Sequence, residues 1–292
     1  MPLASARFGF IGGGVPEVEV SYLALAGAGG ATGTFSGGSG NLGGGGGAGG
    51  YRNSYASELS GGSTSTEAKL DLVLGESYTV TVGAGGTGGG NNVGAGGQFD
   101  GYNGSDSLVG SLTATKGGGG TYNITSPYPN AGIVGSSGGA LKTRTSYTPE
   151  QTLATPTQGT LGSAGNGSSG GGGGGAGTAG GFGSAGAGLS SSITGSAVTR
   201  ASGGNPGDGG TNSGNSASAN TGSGGNGSSY NSNAYGSRKG GNGGSGIVIL
   251  RWATADATIS GTRTGLTDGG VQTDGSDSYI VFTGGTGTVS FT

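Results

Sequence analysis

Apolar positions along this chain gather into short bursts, and nearly every burst opens onto glycine. Residues 17 to 26, EVEVSYLALA, alternate at first and then turn uniformly apolar, which predicts a strand buried at its far end. Residues 70 to 82, LDLVLGESYTVTV, predict two short strands around a Gly75-Glu76 turn, with Tyr78, Val80 and Val82 on one face. SLVGSLTATKGGGG (107 to 120) and SSSITGSAVTRASGG (190 to 204) repeat the same grammar of strand then glycines, an approximate internal repeat. GGSGIVILRW (243 to 252) is apolar through its second half and predicts a central strand. Beyond Trp252, ATISGTRTGL, SDSYIVFTGG and GTVSFT predict a small antiparallel meander with a hairpin at Gly284-Gly285.

Glycine fills the space between bursts, 82 of 292 residues, with runs at Gly43 to Gly47 and Gly170 to Gly175. Such a run is either a flexible linker, its backbone groups left to water, or a buried extended segment whose N–H and C=O groups must find neighbours. Pro plus Gly of about 30% is a composition common in low-complexity chains. Against disorder stand the charged fraction of only 9% and the recurring Tyr, Phe, Val, Ile and Leu. The expected fold is therefore mostly irregular and β: a packed polyglycine II helix bundle stapled by short β-strands, with a small C-terminal antiparallel β-subdomain. Fixing glycine costs roughly 0.5–1 kcal/mol more per residue than fixing alanine, so nearly all the hydrogen bonds of such a block must form together.

The expected organisation is an N-terminal anchor arm at 1–16, a glycine-rich lattice at 17–252 and a β-subdomain at 253–292. Arg7, Phe8, Phe10 and Ile11 in the arm are candidates for anchoring to a larger assembly. Two stretches leave the lattice pattern, at 121–158, with four of the seven prolines, and at 228–239. Their tyrosines and cations suit recognition or simply cap the bundle, and make Tyr122, Tyr128, Lys142, Arg144, Tyr147, Tyr230, Tyr235 and Arg238 the receptor-contact candidates.

Charge and composition narrow the chemistry. A net charge of −3 and a pI near 4.8 give no footprint for nucleic acid. The chain has no Cys and no His, so disulfides, cysteine metal sites and the commonest general base are excluded. No apolar stretch is long enough to insert in a membrane, and the first residues lack a signal-peptide core, so synthesis as a soluble protein in the cytoplasm is expected. GAGGTG (83 to 88) matches G-x-G-x-x-G after a strand, but no helix can follow through TGGGNNVGAGG, and in a glycine-rich chain the match is a chance one; GSGGNG (222 to 227) matches too. Asp268, Asp274 and Asp277 cluster in a Gly/Ser-rich stretch, where solvated turn residues are favoured over a calcium site. No catalytic residue, cofactor or metal is expected.

Taken in order, VEVSYLALAGAGG, GGGGGAGGYRNS, ESYTVTVGAGG, NGSDSLVGSLTATKGGGG, SSSITGSAVTRASGG and GGSGIVILRW resemble the glycine-rich domain of bacteriophage virion proteins, and SYIVFTGGTGTVSF is similar to a β-segment found beside it. The resemblance covers roughly 17 to 292. It implies a non-enzymatic particle component located in the virion, most often a tail-fibre or tip protein that meets a host surface receptor. A capsid decoration or head-fibre protein is the alternative. Partners would be other virion proteins and further copies of the chain, with a trimer the state that fibres favour. A packed glycine scaffold with flat Thr/Ala/Ser faces would also suit ice binding, and a silk-like matrix role is a further alternative.

Overall fold

A computed structural model describes residues 15–34, 41–90, 99–122, 132–145, 151–210, 213–229, 238–260 and 263–292. Its regular structure is β. The strands are β1 (Glu17–Leu25), β2 (Tyr51–Asn53), β3 (Leu70–Val73), β4 (Ser77–Thr81), β5 (Ser107–Val109), β6 (Leu112–Ala114), β7 (Gly132–Val134), β8 (Gln151–Leu153), β9 (Leu189–Ser191), β10 (Val198–Arg200), β11 (Ile247–Ala253), β12 (Ile259–Ser260), β13 (Leu266–Asp274) and β14 (Asp277–Phe291). Ten of them form one sheet along the path β2-β1-β11-β14-β4-β5-β6, with β3 beside β1 and with β12 and β13 beside β14. β7 pairs with β8 in parallel, and β9 with β10 antiparallel.

The sheet curls until its ends nearly meet. Gly50 N–H, just before β2, donates to Thr115 O just after β6 at 2.7 Å. Arg52 of β2 donates from Nη1 to Thr113 O of β6 at 3.3 Å, and Gln158 Nε2 reaches the same carbonyl at 3.3 Å. The inside of this barrel-like sheet holds alternate residues of its strands: Val18, Val20 and Tyr22 of β1, Val248, Leu250 and Trp252 of β11, Ile280 and Phe282 of β14. Trp252 meets Phe291 edge to face at 5.2 Å and donates from Nε1 to Ala257 O at 2.8 Å. Leu23, Leu25, Ile247 and Ile249 face the other way and pack with Ala48, Ala176, Ala201 and Ile193. Both faces of β1 and β11 are thus covered, which is why LALA and IVIL read as unbroken apolar runs.

The expected fold is overturned. The chain is organised by the barrel-like β-sheet and not by a polyglycine II helix bundle; the one helical element among the described residues is the 3-10 turn Gly61–Ser63. Nor do the last strands form a separate subdomain. β14 lies at the centre of the sheet, paired with β11, β13, β12 and β4. Its hairpin with β13 turns at Gly275, φ +61°, between Asp274 and Asp277, and Gly284-Gly285 lies inside the strand opposite Leu266 and Thr267. Gly285, at φ +89°, sits where the inward-facing positions change from even (Phe282) to odd (Val289), so the glycine pair marks an irregularity in a long strand. The apolar alternation on either side of it predicts two strands, but the glycine pair interrupts a single one, Asp277–Phe291.

The glycine segments leave one end of the sheet, following β1, β4 and β6 and preceding β11, and continue as extended backbone. Their hydrogen bonds rotate among neighbours with a period of three. From Gly27 the N–H groups donate in turn to Ser105, Gly244, Gly47, Tyr102, Gly241 and Gly44, at 2.9–3.0 Å. The partners recur three residues apart, 105 then 102, 244 then 241, 47 then 44. Gly45 to Gly50 are satisfied likewise by Gly171, Gly225, Gly118, Gly174, Gly222 and Thr115. Buried backbone must be paired somewhere, and here the segments at 27–32 and 45–50 are each paired on three sides.

Candidate functional site

At the margin of this block the rotating N–H groups run out of carbonyls, and side-chain oxygens take their place. Ser202, Asn205 and Asp208 donate their N–H groups to Ser223 Oγ, Asn226 Oδ1 and Ser229 Oγ at 3.2, 2.9 and 2.8 Å. Ala185 N–H donates to Asn205 Oδ1 at 3.0 Å, and on another margin Gly88 N–H donates to Asn242 Oδ1 at 2.9 Å. The capping residues stand every third position because one residue in three turns towards that margin.

The first of these rows borders a groove of about 880 Å³, lined among others by Lys142, Ser169, Asn205, Asp208, Asn226 and Ser229. Lys142 is brought there by its N–H bond to Leu42 O at 2.9 Å. Asp208 Oδ1 accepts from Gly210 N–H at 3.1 Å and from Ser229 Oγ at 2.9 Å. These bonds, the Gly210 amide foremost, hold its carboxyl below the ordinary aspartate range, so it is ionised at neutral pH. Next to the lining residue Gly183, at φ +75°, the ring of Phe182 is 59% exposed.

The other receptor-contact candidates are dispersed or lie outside the described residues. Tyr122 leans on Phe99, ring centroids 4.9 Å apart, and its N–H donates to Asp100 Oδ1. Burial raises its hydroxyl above the ordinary tyrosine value. Arg144 Nε donates to Tyr122 O at 3.1 Å, which joins these two candidates. Arg238 exchanges backbone bonds with Thr34, both at 2.9 Å. Among the four candidates within the described residues, Lys142 alone lines the groove. Tyr128, Tyr147, Tyr230 and Tyr235 lie outside the described residues, as do Arg7, Phe8, Phe10 and Ile11. Residues 134–141, within the first stretch expected to leave the lattice, are instead buried in it; Gly139 N–H donates to Gly45 O at 2.8 Å.

The aspartate cluster binds arginine. Arg251, 6% exposed, donates from Nη1 to Asp274 Oδ2 and from Nε to Asp277 Oδ2, both at 2.9 Å, and from Nη1 to Ile193 O at 2.9 Å. Its guanidinium lies 5.1 Å from the ring centre of Tyr55. Asp268 pairs with Arg263 at 2.9 Å. No group of three or more acidic residues among the described residues is placed to hold a metal ion.

Asn205, Asp208, Asn226 and Phe182 were not singled out from sequence. A signal was present in SGGN, which occurs at 202–205 and again at 223–226, with a further polar residue three places on each time, Asp208 and Ser229. Comparison with curated proteins gave no match, and comparison with solved structures gave none. The family model of a glycine-rich domain matches residues 13–253, and on that extent the chain belongs to the glycine-rich domain family.

Proposed function

We propose that this chain is a non-enzymatic structural protein of a bacteriophage virion, a tail-fibre or tip protein displayed on the particle surface and contacting the host receptor. The observation that carries the reading is the block in which the inner glycine segments are hydrogen-bonded on three sides, fused to the barrel-like sheet. Such backbone pairing supplies stiffness without a large oily core, which is what a particle component needs to hold loops away from its body. The sequence resemblance to phage virion glycine-rich domains gives the setting, and other virion proteins and further copies of the chain are the partners it names.

Labelling purified particles with an antibody to this chain, viewed by electron microscopy, tests the proposal. Label at fibre ends or at the tail tip supports it. Label spread over the head converts it to capsid decoration, and absence from particles removes the virion role.

A further inference from the structure

We infer that the groove between Lys142, Asn205, Asp208 and Asn226 is a binding site for an uncharged or zwitterionic saccharide. Its volume of about 880 Å³ falls in the usual range for ligand sites, roughly 300–1,000 Å³. The chemistry of its lining narrows the ligand. Asn205 and Asn226 each commit Oδ1 to a backbone N–H of the block, which fixes both amides and leaves each Nδ2 as an oriented donor with no partner among the described residues. Asp208 commits Oδ1 to Gly210 and Ser229 and keeps Oδ2 as an acceptor. Ser168 and Ser169 add hydroxyls that can donate or accept.

Fixed donors beside a fixed carboxylate acceptor are what vicinal hydroxyl groups require, since each hydroxyl both gives and takes a hydrogen bond. One aspartate and one lysine in the same lining balance each other in charge, which disfavours a polyanion or a polycation. Leu42 and Pro206 of the same lining supply the remaining component, apolar surface for the C–H side of a pyranose. The capping amides hold their direction because the hydrogen-bonded block holds them, so little ordering is lost on binding. The inference stands independently of the virion reading, because a groove of this chemistry would bind sugar wherever the chain is displayed.

The test uses the full chain on an array of defined neutral and zwitterionic mono- to tetrasaccharides, followed by calorimetry on the best binder. Lys142→Met and Asp208→Asn should each weaken binding by roughly tenfold or more. Val271→Ala, at an exposed position on β13, should leave it unchanged, with all variants folded by circular dichroism. Failure of every saccharide to bind, or full affinity in both groove variants, overturns the site. Neither result bears on where the chain sits in a particle.

Discussion

Gly173 lies so close to Gly46 that a β-carbon on Gly173 would stand 1.9 Å from the Gly46 carbonyl oxygen. No rotamer relieves that approach, because the obstacle is backbone held by its own hydrogen bonds. Gly173→Ala should therefore cost more than about 3 kcal/mol of stability or prevent folding. Gly269→Ala on β13, where a β-carbon meets nothing within 4 Å, should change stability by less than about 1 kcal/mol. Denaturant unfolding of the two variants beside the parent chain makes the comparison, and equal effects would show that the segments are not packed backbone to backbone.

The margin caps give a second expectation. Asn242→Ala leaves the buried Gly88 N–H without its acceptor and should cost about 1–3 kcal/mol. Asn242→Asp keeps an oxygen in place and should recover most of that. Hydrogen exchange at Gly88 reads the effect locally.

Arg251 joins β11 to the β13–β14 turn and to the Ile193 carbonyl. Arg251→Met should destabilise by about 1–3 kcal/mol; both aspartates keep some solvent, so the unpaired charges cost less than fully buried ones. Arg251→Lys retains charge but not the fork that reaches three acceptors, and should restore only part of the loss. Thermal unfolding of both variants measures the difference.

Glu58 should make stability depend on acid. Burial raises its carboxyl, but the Ser191, Ser192 and Asn53 side chains and the Ser192 amide outweigh that and hold it below the ordinary value of 4.5. Two of these bonds come from Ser192, N–H at 2.8 Å and Oγ at 2.6 Å. A lowered folded value means that the proton binds the unfolded chain more readily. The contribution of Glu58 is therefore whole above 4.5 and is lost as pH falls through the lower folded value. Unfolding midpoints of the parent chain and Glu58→Gln should differ at neutral pH and converge in acid.

The strands were legible in the sequence where one face meets the core and the other meets solvent or a second layer. Val18 and Val20 announced β1, and IVIL announced β11, which does lie between β1 and β14. The two strands around Gly75 were legible too, with Val80 and Val82 inward, but each pairs elsewhere, β3 with β1 and β4 with β14 and β5. Pairing over such separations leaves no local trace. Gly284-Gly285 misled because glycine signals a turn and an irregular strand equally well. The dominance of the sheet over the glycine segments was hidden by number: glycine is abundant, whereas the residues that close the barrel, such as Arg52 and Gln158, are single side chains far apart in sequence. The groove was legible only as polar residues at every third place, a periodicity diluted by the Gly and Ser around it.

The rotation of partners by three gives each glycine segment a reading frame. Between Gly27 and Thr32 the successive N–H groups address three different neighbours before returning to the first. Loss of one residue there would turn every later amide towards the wrong neighbour and would swing the following side chains into backbone. Loss of three would remove one bond from each face and leave all later directions as they were. Length variation in these segments is thus quantised in triplets, whereas the connections between segments are free of that constraint, and lineages carrying this architecture should diverge in loop length far more readily than in segment length.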